Sequence, residues 1–323
     1  FRHISCMPSP RDVLTPDSLA MLQVIADTGS FAAAARQLQL VPSALTYRVR
    51  QMEEALDVLL FDRSTRQAQP TEAGQALLAE GARLLQDIDA VANRVRRVAT
   101  GWEPELTIVA DAVLSHSTLL DLVEAFYALN APTRLKLTTG TLSGPMECLI
   151  QGRADLALGM TPTNTSAAGL QVQDLGDVQF AFAVAPFHPL AQHEGPITDE
   201  VMREHRLVVI SDSAQRERTS MGLLDGQDIF TVDHIQAKID AQVRGLGCGF
   251  LSQAMVQPYV DAGLLVIKPI ARAARNVRVR YAWKKSGGNA PGKALQWWLE
   301  QLQSPVTQQA LLEQHRYSWL PQR

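Results

Sequence analysis

The chain has 323 residues, 46% hydrophobic and 20% charged, values of soluble globular proteins that exclude a miniature scaffold, a fibrous repeat and a disordered chain; at ~150 residues per domain there is room for about two packed units. Thirty Lys plus Arg face 33 Asp plus Glu for a net charge of -3, and residues 1–100 hold 11 Arg, no Lys and 11 acids, so bulk charge points to no polyanion and a nucleic-acid reading must rest on local geometry. No apolar stretch nears the ~20 residues of a membrane span, and Cys6, Cys148 and Cys248 have neither metal-ligand spacing nor the density of a disulfide framework; the expectation is a reducing cytoplasm, with no membrane partner and no metal.

Residues 1–14 lack the apolar core of a secretory signal and carry Pro8 and Pro10, so they read as a disordered or appended lead, with Met7 as a start. Thr15 before Pro16 gives an N-cap followed by a proline in the first helical turn, and Leu19, Leu22 and Ile25 stripe the helix up to Gly29. Ser30 caps a second helix, Phe31 to Leu38, whose Ala34 and Ala35 allow close packing. Pro42 and Ser43 open a third helix to about Leu56, buried along Leu45, Val49, Met52 and Leu56. Two short helices joined by a tight turn make a helix-turn-helix, and Leu59 to Thr71 reads as two short strands around a polar tip, a wing. A long helix from Thr71 and Glu72 keeps Leu77, Leu84, Ile88, Val91, Val95 and Val98 at alternating spacings of three and four, a heptad seam for pairing with a twin. Gly81 is a weak member of that seam, and with the extra Leu78 and Leu85 it predicts packing against the helix's own domain as well.

Gly101, Trp102 and Pro104 mark a change of period. Beyond them strands are expected at Leu106–Ala110, Leu135–Thr139, Ala154–Met160, Gln179–Pro186, Leu207–Ser211, Gly249–Leu251, Leu264–Pro269 and Val277–Lys284. They alternate with helices at Ser117–Leu129, Gly144–Gln151, His234–Leu246, Ala254–Ala262 and Pro291–Gln303, a pattern of parallel sheets with crossovers, in one large sheet or two lobes.

The third helix carries the most information. With its apolar stripe turned inward, Ser43, Tyr47 and Arg50 point outward along one line and Thr46 flanks them. A short hydroxyl, a phenol and a guanidinium suit base edges and phosphates in a major groove. Glu54 ends the line and would repel phosphate, so the N-terminal half is the part that enters. Arg63 and Arg66 in the wing can reach the sugar-phosphate backbone. Catalytic patterns are missing: there is no G-x-S-x-G, H-E-x-x-H or P-loop, and Gly245, Gly247 and Gly249 follow a helix where a dinucleotide fingerprint follows a strand. No catalytic residue and no cofactor are assigned, and Cys148 and Cys248 read as inert packed thiols.

The run Thr28 to Gly74 closely resembles the winged helix-turn-helix of LysR-type transcriptional regulators. The resemblance rests on Gly29 to Phe31, Ala34 and Ala35, Met52 and Glu53, Leu60 to Arg63, Arg66, and Thr71 to Gly74. It departs from the family pattern at Val41 and Pro42, where Ser-Gln is frequent, and at Tyr47, where Arg is common. By position it assigns groove contacts to Ser43, Thr46, Tyr47 and Arg48, and wing contacts to Arg63 and Arg66. It implies an α plus α/β chain: a winged helix-turn-helix over 15–73, a linker helix over 74–103 that pairs two chains, and an effector domain over 104–323. That domain would have two lobes of the type 2 periplasmic-binding-protein kind, lobe I at about 104–176 and 265–304 and lobe II at about 177–264, with a tail at 305–323. The seam Leu77, Leu84, Ile88, Val91 and Val95 becomes the dimerisation face of a homotetramer. The implied partners are promoter DNA, a small-molecule effector, further copies of the chain and RNA polymerase.

In two-lobed receptors ligands bind between the lobes, at strand ends and helix N-termini. The effector candidates there are Ser115, Ser117 and Thr118 before the first lobe helix, Thr139 and Thr141 after the second strand, Thr161 after the third, and Ser211 and Asp212 in the second lobe. These hydroxyls suit a small polar metabolite, whereas Asp111 disfavours an anion close by. Two alternatives use the same α/β half differently: a solute receptor without a DNA role, or a cytoplasmic α/β enzyme.

Overall fold

The computed structural model describes residues 9–62, 67–161, 169–215, 222–273, 275–285 and 290–315. The chain divides into two compact units, with the boundary between Val95 and Arg96.

In the first unit, α2 (Pro16–Thr28), α3 (Phe31–Gln37) and α4 (Pro42–Leu56) follow a single turn, α1 (Pro10–Val13), and precede two-residue strands β1 (Phe61–Asp62) and β2 (Gln69–Pro70). The caps act as their chemistry requires. Thr15 Oγ1 accepts the Ser18 N–H at 3.2 Å, Ser30 Oγ accepts the Ala33 N–H at 3.4 Å, and Gly29 ends α2 in the left-handed conformation at φ 62. Met21, Leu22, Ile25, Ala34, Ala35, Leu45, Val49 and Met52 close one core with Leu60 and Phe61. Phe31 meets the Phe61 ring edge-on at 5.4 Å. The expected disordered lead over 1–14 needs correcting at its end: Pro10–Val13 is helical, with Asp12 accepting from the Ser9 N–H, because Val13 joins this core.

The helix α5 (Glu72–Thr100) leads into the second unit. There β3 (Glu105–Asp111), α6 (His116–Tyr127), β4 (Arg134–Gly140), α7 (Gly144–Ile150) and β5 (Leu156–Met160) make a parallel β-α-β-α-β lobe, with β3 between β4 and β5. The long β6 (Leu170–Val184) leaves that lobe and β11 (Arg275–Lys284) returns to it, paired antiparallel over Arg275–Lys284. The second lobe holds α8 (Asp199–Arg203), β7 (Leu207–Ile210), β8 (Ile229–Val232), α9 (Ile235–Val243), β9 (Gly249–Ser252), α10 (Gln253–Asp261) and β10 (Val266–Lys268). Strands β9 and β10 both pair with the far part of β6, and β7 pairs parallel with β8. α11 (Lys293–Gln303) and α12 (Pro305–Glu313) finish the first lobe, whose core runs from Leu106 and Phe126 to Trp298, Leu302 and Leu311.

Several elements of the second unit differ from the expectation. β6 starts at Leu170 rather than Gln179, and its early residues are polar because they form an exposed charge ladder in which Asp174 and Asp177 pair with Arg280 and Arg278. β8 is short and its first three residues are exposed, so it carries no apolar alternation. α8 is five residues long, started by Thr198, whose hydroxyl accepts the Val201 N–H. The expected tail over 305–323 is helical over Pro305–Glu313, anchored by the fully buried Leu311.

The residues just after that last helix carry a pH signature. Burial pushes His315 down to about 4, against a weaker opposing bond to the Leu312 backbone, and its Nε2 is buried without a hydrogen-bond partner. A histidine held neutral in the fold contributes stability that is complete above its unfolded pKa of ~6.5 and is lost as pH falls through that window toward the folded value. The expected loss is about 1 kcal/mol per pH unit between pH 6.5 and 4. Asp111 of the same unit, pushed up to about 7, contributes in the opposite sense over the same window, so the His315 part is read as the difference between the wild type and His315→Gln in urea midpoints at pH 7 and pH 5.

Candidate functional site

The outward face of α4 is set by its inward one. Leu45, Val49 and Met52 are buried, which leaves Ser43, Thr46, Tyr47, Arg48 and Arg50 all exposed. Arg48, one residue before the buried Val49, also reaches solvent. Tyr47 is 62% exposed, and its hydroxyl oxygen accepts a hydrogen bond from Gln51 Nε2 at 2.9 Å, so the phenol proton is left to donate. Thr46 spends its proton on the Pro42 carbonyl at 3.0 Å and keeps its lone pairs as acceptors. Ser30, Phe31, Thr46, Arg50, Asp62 and Gln67 line one groove between the start of α3, the α4 face and the wing strands. Arg63 and Arg66 lie outside the described residues.

Two fastenings fix that face. Glu53 is buried, and its Oε1 accepts the Leu60 N–H at 2.9 Å and the Phe61 N–H at 3.4 Å, tying the end of α4 to the first wing strand. On the other side, Thr71 donates its hydroxyl to the Leu59 carbonyl at 2.6 Å and its N–H to the Leu60 carbonyl at 3.0 Å, while the same hydroxyl accepts the Gly74 N–H at 3.0 Å. Sequence reasoning quoted Glu53, Thr71 and Gly74 as a pattern without giving them work. The available signal was an acid inside an otherwise apolar stripe.

Along α5 the seam divides. Leu77 and Leu78 pack on the first unit's core, and a Cβ at Gly81 would sit 3.0 Å from Leu19 Cδ2, so the glycine admits Leu19. Beyond it Leu84, Ile88, Val91, Val95 and Val98 are exposed, from 48% at Leu84 to 74% at Val98.

In the second unit the effector candidates fall into three groups. Thr141, Ser211 and Asp212 come together where the lobes meet. Thr141 donates its hydroxyl to the Ser211 carbonyl at 2.7 Å and its N–H to Ser213 Oγ at 2.9 Å, and accepts the Ser213 N–H at 3.0 Å. Ser143 gives its N–H to Asp212 Oδ1 at 3.2 Å and its hydroxyl to Asp212 Oδ2, and Glu147 accepts the Gln215 N–H at 2.7 Å. Ser143, Ser213 and Glu147 were not anticipated. Ser115, Ser117 and Thr118 form the second group: the two serines donate to the Gln314 carbonyl at 2.6 and 3.2 Å and Thr118 to the Ala310 carbonyl at 3.1 Å, so the α6 N-terminus faces the C-terminal end of α12. Thr139 is exposed and Thr161 half-buried, each at its strand's end.

Asp111 lies beside the first group, keeping part of its surface in solvent. Its two oxygens accept the Val113 and Leu142 N–H groups, each at 2.8 Å. Enclosure by protein outweighs those bonds and, with the nearby Asp212, pushes its carboxyl up to about 7. Cys248 is buried, donates toward the Arg206 carbonyl and is pushed up to about 12 by burial, which makes it unreactive. Among the described residues no three potential metal ligands converge, and no helix is long and apolar enough to cross a membrane.

Residues 16–75 match the family described as bacterial regulatory helix-turn-helix protein, lysR family, and residues 99–305 match the LysR substrate binding domain. The chain is 36% identical over 287 residues to a protein of Escherichia coli K12 named uncharacterized HTH-type transcriptional regulator YeeY, covering 88% of this chain and 92% of the relative. It is 33% identical over 291 residues to the probable HTH-type transcriptional regulator YhaJ of the same strain, covering 90% and 96%. Full-length CbnR in complex with its target DNA has a similar fold at a TM-score of 0.59 and 18% identity, over 88% of this chain and 98% of that one. A full-length AphB variant is similar at 0.54 and 18%, over 86% and 95%.

Proposed function

From the premise that the chain belongs to the LysR family of bacterial transcriptional regulators, we propose that it binds a two-fold promoter site through α4, with Ser43, Tyr47 and Arg50 in the major groove. Thr46 and Arg48 flank those contacts, and Arg63 and Arg66 grip the backbone from the wing. The observation that carries this reading is a polar face on α4 whose direction is fixed from behind by a closed apolar core and by the buried Glu53 carboxylate. With 11 arginines balanced by 11 acids over residues 1–100, one module alone has little non-specific affinity. Two modules joined along Leu84, Ile88, Val91 and Val95, with Leu77 kept by the chain's own core, address half-sites about 34 Å apart or a multiple of it, and pairs of dimers give a tetramer that can contact RNA polymerase.

The lobe junction is the effector site in this reading. A metabolite entering among Thr141, Ser211 and Asp212, with Thr139 and Thr161 at the neighbouring strand ends, competes with the bonds that join the lobes; Ser115, Ser117 and Thr118, expected among the effector contacts, instead spend their hydroxyls on the end of α12. It acts by favouring one lobe arrangement over the other. The protein is then a cytoplasmic regulator with no catalytic step and no cofactor. Gel-shift titration with the DNA upstream of its own gene tests the reading: we expect a specific complex that weakens steeply with salt, and a roughly tenfold loss for Tyr47→Ala and for Arg50→Ala. A wild-type protein that binds no duplex specifically, or variants that bind as wild type, would overturn it.

A further inference from the structure

The first residues of α4 are apolar where a helix N-terminus ordinarily wants an oxygen. Val41 is the N-cap and makes no side-chain cap bond, and Pro42 occupies the first turn. The N-caps of the two preceding helices, Thr15 and Ser30, both accept a backbone N–H, so within the helix-turn-helix α4 differs from its neighbours. Packing does not account for Val41 either. It is 63% exposed, whereas Val13 and Val49 of the same unit are buried. Pro42 is exposed as well, and it presents ring carbons and no N–H at the end of the helix that points into DNA in the reading above.

Resting on that operator-binding reading, we infer that Val41 and Pro42 read the 5-methyl group of a thymine in each half-site. Among major-groove base edges only thymine offers a hydrocarbon. Guanine, cytosine and adenine would place donors or acceptors against carbon that returns no hydrogen bond, and a polar group desolvated without a partner is costly. The polar contacts begin immediately behind this tip. Ser43 is exposed one residue on, and Tyr47 presents a phenol proton freed by the Gln51 bond. The helix is therefore divided along its length into an apolar tip that selects a T·A pair and a hydroxyl-bearing stretch that contacts its neighbours. Val41 and Pro42 thus act as specificity determinants at the two positions where the chain departs from the frequent Ser-Gln.

The test uses full-length protein and a duplex obtained by selection from random sequence. Each thymine of the half-site is replaced in turn by deoxyuridine, which removes the methyl and leaves the pairing edge intact. For the wild type we expect one position per half-site at which the replacement weakens binding roughly three- to tenfold, the worth of about one buried methyl. Val41→Ser restores a cap oxygen, so it folds at least as well as the wild type, and with only Pro42 left to meet the methyl it should discriminate the thymine duplex from the deoxyuridine duplex less than the wild type does. Specific wild-type binding that is indifferent to every deoxyuridine overturns this inference alone. So does a Val41→Ser protein that keeps the full methyl dependence. Failure to select any duplex overturns the operator-binding reading along with it.

Discussion

Replacing Ile88 and Val95 together by aspartate is expected to yield a monomer that binds its operator at least a hundredfold more weakly. The seam they belong to has two parts with different partners. At its start Leu77 and Leu78 are held by the chain's own core, and Gly81 gives way to Leu19. From Leu84 onward the same stripe continues with nothing over it in the monomer. A helix of 29 residues with an uncovered apolar stripe is poorly stable in water on its own and owes most of its order to what it packs against. Aspartate at two facing positions puts four carboxylates into a paired seam, each desolvated without a partner. Once pairing is lost the second half-site contact becomes bimolecular, and the avidity forfeited is ~10²–10⁴. Sedimentation velocity reads the first effect and fluorescence anisotropy with a two-site duplex reads the second. Asn93→Asp adds a charge on the face away from the seam and should leave both unchanged. A doubly substituted protein that remains dimeric, or a monomer with wild-type affinity, would show that the seam does not pair the chains.

The parts of the molecule legible in the sequence are those whose determinants are local. Thr15 and Ser30 declare their helices by cap chemistry, and the face of α4 follows from the spacing of Leu45, Val49 and Met52, because a helix buried along one line must expose the opposite one. The apolar stripe of α5 was legible for the same reason. Much of the α/β half is settled at long range. Thr141 meets Ser213 across 72 residues and Ser115 meets Gln314 across 199; nothing near either threonine or serine distinguishes a partnered hydroxyl from an ordinary turn residue. The early part of β6 was hidden for a related reason. Its cohesion comes from pairing Asp174 and Asp177 with arginines about a hundred positions later, and a strand held by charge pairs has the composition of a loop. Leu311 and the half-buried Leu312, adjacent and with no longer apolar period, were too little signal to reveal α12 after Pro305.

Changing Gly74 to alanine should unfold the junction between wing and linker helix, although helix propensity alone predicts the opposite. In an exposed helix interior, glycine to alanine gains about 1 kcal/mol. Here the added Cβ would lie 2.0 Å from the Leu60 carbonyl oxygen and 3.0 Å from its carbon. Both are backbone atoms, so no rotamer relieves the overlap. Nor is the backbone free to retreat: the Leu60 carbonyl accepts the Thr71 N–H, the Leu60 N–H is held by Glu53, and the side chains of Leu60 and Phe61 are in the core. Relief requires moving the first wing strand or the start of α5, at a cost of about 3 kcal/mol or more, together with the wing's placement against DNA. Gly81, about two turns further along the same helix, supplies the comparison. Its added Cβ would meet the end of the Leu19 side chain at 3.0 Å, which can rotate, so Gly81→Ala should change stability by less than about 1 kcal/mol in either direction. Thermal melts of the two variants beside the wild type, with operator titrations on each, decide the matter: a Gly74→Ala protein as stable as Gly81→Ala would mean that the Leu60 carbonyl is not held where these bonds place it.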